Sequence, residues 1–326
     1  MRLLRTISHS SKLLMYTGLL TMLMMGDGVM SYIMPVMIEE AVSNQLMMGL
    51  ILGFSSIVGI GCDFLFSSWL RGVGFGVIAR RALAAAILFP ILLLVFGTQT
   101  WVFLAAMAVW GIYYELAMFS NYHFVDEVVA LEQQPLVWGF ISSVWSLAWF
   151  VAPLLAALIF DYYVQGPLLL ALGFYLLGFG IFAILQSRLK KPEQKVTITE
   201  NKGSSMLQEL RVWLLLVKKL WPVFIFSLLA TIVMSGFWSV GALLAEELGD
   251  ETRLGLLFFS AWTAPPLVFG LLAGPVMKRL RKKKTAFLFG ALAGLLLLPL
   301  VWVESIWLII GCTFISSIAY SISYPG

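Results

Sequence analysis

Residues 13–36 read LLMYTGLLTMLMMGDGVMSYIMPV, a 24-residue run of apolar, small and hydroxylated side chains interrupted by a single charge, Asp27. As a helix rising ~1.5 Å per residue, such a run is about 36 Å long and crosses a hydrocarbon core of ~30 Å. Arg2, Arg5 and Lys12 precede it as in a secretory signal, but the run is too long and has no small-x-small cleavage site. It is therefore the first of a series of spans. Nine further runs follow at 46–70, 79–98, 101–122, 135–160, 167–187, 220–245, 254–277, 286–303 and 306–324. The 326 residues are 61% apolar and 12% charged, with a mean hydropathy of +0.95. A soluble domain has roughly 45–50% and 25%, so a single water-soluble globule is excluded. The expected fold class is all-α, a polytopic membrane protein.

Charge placement orients the spans. With the N-terminus in the cytoplasm, 20 of the 21 Lys and Arg residues fall on the cytoplasmic side and only Arg253 lies opposite, as the positive-inside rule requires. The net charge of +4 thus reflects topology and anionic headgroups, and no nucleic-acid partner is expected. The expected location is a bacterial cytoplasmic (inner) membrane, with the lipid bilayer as partner and a monomeric chain. Cys62 and Cys312 both lie in apolar runs and the chain has two histidines, which gives neither a disulfide framework nor metal-ligand spacing. No metal or cofactor is expected. H-E-x-x-H, G-x-S-x-G and P-loop patterns are missing from the sequence, so an enzyme and an ATP-driven pump are both disfavoured.

A polar segment from Lys190 to Gly203 divides the chain. The expected organisation is a six-helix bundle over 1–188, a cytoplasmic linker with a short amphipathic interfacial helix over 189–219, and a second bundle over 220–326 with four helices. At an offset of 206 the halves align without gaps: Lys12 meets Lys218, Glu40 meets Glu246, Gly49-Leu50 meets Gly255-Leu256 and Trp101 meets Trp307. Spans one to four then match spans seven to ten, a parallel internal repeat. After the eighth run, Gly274-Pro275-Val276-Met277-Lys278-Arg279-Leu280-Arg281-Lys282-Lys283 is similar to a G-x-x-x-D-R-x-G-R-K loop, with Lys278 in place of the acid. In span five, Ala148-Trp149-Phe150-Val151-Ala152-Pro153-Leu154-Leu155-Ala156-Ala157 is similar to G-x-x-x-G-P-x-x-G-G, with alanine at every glycine.

In its repeat, linker and motifs the chain resembles the major facilitator superfamily. The resemblance implies two bundles that rock to give alternating access, with the first and fourth helices of each half lining a central cavity. It implies gating loops at Arg71, Arg80 and Arg81 and at Lys278 and Arg279, and a span-five motif of Ala148, Ala152 and Pro153 that the family associates with antiporters. Span four carries Met107 where the family's pattern places an arginine four residues before Gly111. Twelve spans are implied, so a chain ending at Tyr324-Pro325-Gly326 is expected to be C-terminally truncated.

Three acids, Asp27, Asp63 and Glu115, fall within spans one, two and four. A charge at the centre of a spanning helix costs about 2.5–3.5 kcal/mol even on the mildest scale, so each must face protein or water. An acid there with no cationic partner can bind and release a proton as its exposure changes. Asp27, between Gly26 and Gly28, and Glu115 are the leading candidates for proton coupling or substrate binding, as a relay rather than a shared-proton dyad. Asp63, four residues after Gly59, serves either transport or a gate contact with Arg71 or Arg80. Tyr32, Tyr113, Tyr114, Trp145, Trp149 and Trp238 are candidates to line the cavity, and aromatic walls around an acid suit a lipophilic cation. The expected function is secondary transport of a small molecule by alternating access, coupled to protons as efflux by antiport. The alternatives are proton-linked uptake of a neutral solute such as a sugar, and a non-transporting scaffold or sensor on the same fold.

The charge pattern carries its own test. Single cysteines replacing Arg188 and Lys282, in a chain freed of Cys62 and Cys312, are expected to react with a membrane-impermeant thiol reagent from the same face. Labelling from opposite faces would break the ten-span topology.

Overall fold

The computed structural model describes residues 11–70, 73–131, 134–160, 162–189, 206–241, 243–244, 254–269, 276, 279–280, 282–302 and 305–323. These residues are helical and contain no strand. The first half comprises α1 Ser11–Val42, α2 Gln45–Trp69, α3 Phe75–Phe96, α4 Thr100–Val128, α5 Gln134–Phe160 and α6 Gly166–Arg188. The second comprises α7 Met206–Gly236, continued by a π-turn at Phe237–Gly241, then α8 Leu254–Thr263, α9 Lys282–Leu297 and α10 Ile306–Ser323. A break at Ala264, before Pro265 and Pro266, separates α8 from a short continuation, Pro265–Phe269. Nine of these helices are long and apolar enough to cross a membrane, and the shorter apolar stretch Leu257–Phe269 accompanies them.

The interfacial helix expected within 189–219 is not a separate element among the described residues. From Met206 the chain enters α7 and continues through Pro222, so the expected boundary at 219/220 lies inside one helix. Residues 206–221 contain no glycine or proline, and strong helix formers propagate a turn wherever nothing stops it. Pro222 removes one hydrogen bond without ending the helix. Residues 190–205 lie outside the described residues.

α1 is the axis of the first bundle. From Leu23 to Ile38 every residue except Ser31 is buried, the signature of a helix surrounded by others rather than laid on a surface. It packs mainly against α6 and α5, while α3 packs on α4 and α6, and α2 packs on α4. Near the basic ends of the helices, Tyr16 stacks on Phe124 with ring centroids 3.6 Å apart, and Phe75 packs edge-on against both. Glu127 near the end of α4 accepts a hydrogen bond from the Phe75 amide at 3.1 Å. It supplies the acceptor that the α3 N-terminus lacks locally, its preceding residue being Gly74.

The second half meets the first through few elements. α8 and its continuation touch α5, and the π-turn after α7 touches α1. Here Tyr32 meets Phe259 edge-on at 5.2 Å and Trp149 meets Trp238 at 5.4 Å. Phe237 packs against Phe258, Phe259 and Trp262. This aromatic junction lies towards the helix ends opposite the basic loops. The apolar stretch of α7 from Trp213 to Gly241 has almost no buried residue.

Small residues set the closest approaches. A Cβ added at Gly111 would lie 2.3 Å from the Ser55 carbonyl oxygen, so α4 and α2 cross with backbone against backbone. Gly111→Ala is expected to destabilise the protein by about 1–3 kcal/mol through overpacking. Gly173→Ala, whose added Cβ meets nothing within 4 Å, should leave stability unchanged. Thermal unfolding of both variants in detergent checks the pair.

Candidate functional site

The three intramembrane acids do not form one cluster. Asp27 is 1% exposed. Its neighbours explain how α1 can bury it: a Cβ at Gly26 would lie 2.5 Å from the Tyr175 ring, and one at Gly28 would lie 2.8 Å from Ala152 Cβ. The glycines flanking Asp27 thus let α6 and α5 close on α1 at the level of the carboxyl group. On α5 the contact uses the small face Ala148, Ala152 and Ala156, all buried, with Pro153 buried beside them. The span-five motif is therefore a helix-packing surface.

Indoles hold the carboxyl group. Trp110 Nε1 donates to Asp27 Oδ1 at 2.9 Å, and its indole is stacked on Phe89 of α3, with centroids 5.4 Å apart and ring planes 13° from parallel. The Trp149 indole approaches the same carboxyl from α5, although its Nε1 makes no hydrogen bond of good geometry. Tyr113 and Tyr175, both fully buried, lie within electrostatic reach of Asp27. Their rings meet edge-on at 5.9 Å, and neither hydroxyl has a hydrogen-bond partner among the described residues. No Lys, Arg or His among the described residues acts on Asp27.

Glu115 meets Asp63 instead, the two carboxyl groups lying within electrostatic reach of each other. The meeting follows from paired glycines. Gly59 precedes Asp63 by four residues on α2, Gly111 precedes Glu115 by four on α4, and a Cβ at Gly59 would stand 3.1 Å from Glu115 Oε1. Asp63 is exposed and Glu115 half-buried, with the Cys62 thiol within electrostatic reach of both. The gate contact expected for Asp63 is not made through Arg80, which donates to Gln186 Oε1 at 3.1 Å. Arg71 and Lys278 lie outside the described residues, and Arg81 and Arg279 are exposed.

Of the aromatic candidates, Tyr32, Trp149 and Trp238 belong to the junction between the halves, and Tyr114 is 41% exposed. Tyr113, Tyr114, Trp145 and Trp149 line a small cavity together with Asn121. Sequence reasoning did not nominate Trp110, Asn121 or Tyr175. The first two were within reach of it, because Trp110, Tyr113, Ala117 and Asn121 repeat at helical spacing on one face of α4.

The family model of the Major Facilitator Superfamily matches residues 124–326, and the chain belongs to that superfamily. Its fold is similar to that in the crystal structure of a D-xylose-proton symporter. The TM-score is 0.67 at 13% sequence identity, covering 96% of this chain and 80% of the other. No curated protein matches the chain. The protein is thus a multi-pass integral membrane transporter rather than an enzyme.

Trp110→Phe keeps a ring on Phe89 and deletes the donor to Asp27. Hydrogen bonds to carboxyl groups in buried settings contribute about 1–3 kcal/mol, so the variant is expected to lose thermal stability while the infrared C=O band assigned through Asp27→Asn moves to higher frequency. An unmoved band would show that Trp110 does not hold the acid.

Proposed function

We propose that the protein is a secondary transporter in which Asp27 carries the coupling proton. The observation that supports this most directly is a fully buried carboxyl group on the axial helix of the first bundle, hydrogen-bonded by the Trp110 indole and unaccompanied by a cation among the described residues. Such a group changes protonation when its surroundings are wetted, and alternating access wets and dries the centre of the bundle in turn. In this reading Glu115 and Asp63 form a second pair of acids on the α2–α4 surface. The basic loops and N-terminus face the cytoplasm of a bacterial inner membrane, and the two bundles move about the aromatic junction.

For direction, the reading is exchange, with a lipophilic cation leaving as protons enter. It draws on the aromatic rings around Asp27 and on the resemblance of the span-five motif. Uptake of a neutral solute together with protons is the alternative. It uses the same acid, and one protein of similar fold is titled a D-xylose-proton symporter.

The test is proton movement in liposomes holding the full chain, under an imposed pH gradient, with tetraphenylphosphonium, ethidium and D-xylose supplied in turn. Substrate-dependent flux is expected in the parent and is expected to vanish in Asp27→Asn. Loss only in Glu115→Gln would move the coupling to the Glu115–Asp63 pair, and intact flux in both variants would sink the assignment. The sign of the flux separates exchange from uptake.

A further inference from the structure

Asp27 is faced by Trp110 and Tyr113 from α4, by Trp149 from α5 and by Tyr175 from α6. Neither α2 nor the π-turn adds a titratable group to these. Three of the four have their ring partners inside the first bundle: Trp110 is stacked on Phe89, and Tyr113 and Tyr175 lie edge-on against each other. Trp149 differs, because the ring it meets is Trp238 of the second half, edge-on at 5.4 Å. Among the described residues it is the one side chain that faces the acid and also has a ring contact across the junction.

The placement of Trp149 follows from the sequence on either side of the contact. Gly28 is the next residue after Asp27 on α1, and a Cβ there would stand 3.4 Å from Trp149 Cδ1, so the N–H edge of the indole lies over bare backbone beside the acid. Ala148 and Ala152 hold α5 against the same glycine. The Trp149 N–H is buried but makes no hydrogen bond of good geometry, whereas that of Trp110 donates to Asp27 at 2.9 Å. Trp110 is therefore fixed by its bond and its stack, and Trp149 by what stands behind it. That is a series of rings crossing the junction twice: Trp238 meets Phe259 of α8 edge-on at 5.2 Å, and Phe259 meets Tyr32 of α1 at the same distance. Trp238 is carried by the π-turn Phe237–Gly241, and single π-turns in helices are frequent at functional sites.

We propose that Trp149 is a seal over Asp27, held shut by Trp238, and that separation of the two halves admits water to the carboxyl group past this indole. The proposal rests on Asp27 being the proton carrier. When the halves part, Trp110, Tyr113 and Tyr175 keep their ring partners and Trp149 loses its own, so the cover over the acid is broken at that indole. The effect runs both ways, because two linked equilibria bias each other by the same factor. Water stabilises the ionised carboxyl group, so loss of the proton favours the open junction and its return favours the closed one. Trp149 carries no proton in this scheme and is a positioning residue.

Two measurements on the full chain in detergent test this. The first is the rate at which the infrared Asp27 carboxyl band, assigned through Asp27→Asn, shifts on transfer to heavy water. Trp238→Leu, at a half-buried position, is expected to raise this rate by up to about tenfold, as loss of one aromatic contact would. Trp149→Ala is expected to raise it further, and Trp149→Phe, which keeps a ring against Trp238, to retain the parent rate. The second is the distance between spin labels at Thr98→Cys and Ser305→Cys, both exposed at helix ends opposite the basic loops, in a chain freed of Cys62 and Cys312. In the parent this distance is expected to lengthen from acid to alkaline pH. Trp149→Ala is expected to abolish the response, which loss of packing alone would not do, and Trp149→Phe to retain it. Parent exchange rates in both Trp149→Ala and Trp238→Leu would overturn the proposal, as would a pH-dependent distance that survives Trp149→Ala. A carboxyl band that keeps its intensity at every pH would instead defeat the assignment of Asp27 as carrier, and its exchange rate would still report whether Trp149 covers the acid.

Discussion

The structure depends on one burial, that of the Asp27 carboxyl group on the axis of the first bundle. A charged residue in a spanning helix is tolerated only where protein surrounds it, and here the surroundings are made by what is missing on either side. Gly26 admits the Tyr175 ring and Gly28 admits Ala152, so α6 and α5 close on α1 where the acid sits. Packing and polarity are thus set by the same three residues. A side chain at either glycine would push the neighbouring helix away and let lipid or water reach Asp27. The alanine face of α5 has its place in the same contact. Alanine suffices because the partner position is glycine, and two alanines facing each other would hold the helices further apart.

Much of this was legible in the sequence and some was not. The spans were legible because the bilayer imposes a length, and the first-half helices and α10 begin and end within about six residues of the apolar runs, α2 and α10 within one. The run 254–277 read as one helix, whereas the chain breaks at Ala264. Pro265 and Pro266 were the signal, since a proline pushes the residue before it out of helical geometry. The continuity of α7 across its positively charged turn was hidden by the change in composition at that point, which reads as a boundary although nothing in it stops a helix. Among site residues, Asp27 was found because a carboxyl in an apolar run stands out. Its partner Trp110 was not, because an indole in an apolar run does not.

The Glu115–Asp63 contact shows where pattern reading should have gone further. Helical depth separates Glu115 from Asp27, and depth alone gives it no partner. Taking each acid together with the glycine four residues before it supplies one. Two helices that each carry a glycine one turn ahead of an acid bring their acids together when the glycines cross, and the crossing at Ser55, Gly59 and Gly111 does this. Approach distance, not hydrophobic period, was the informative quantity.

The junction between the halves is built differently from the bundle around α1. Among the described residues it has aromatic rings and no glycine-mediated backbone approach, and the ring contacts across it are edge-on. Between helices in a bilayer there is little hydrophobic gain, and an aromatic pair contributes only about 0.5–1.5 kcal/mol. Among the described residues, the pairs Tyr32 with Phe259 and Trp149 with Trp238 join first-half to second-half rings, and together they contribute only a few kcal/mol. That is the scale on which a protein keeps two conformations populated. The bundle around Asp27 is locked by backbone proximity, which cannot be given up by degrees. A transporter that moves at the aromatic junction and stays rigid around its acid keeps the packing of Asp27 within its bundle constant, and changes only the access of water to the carboxyl group.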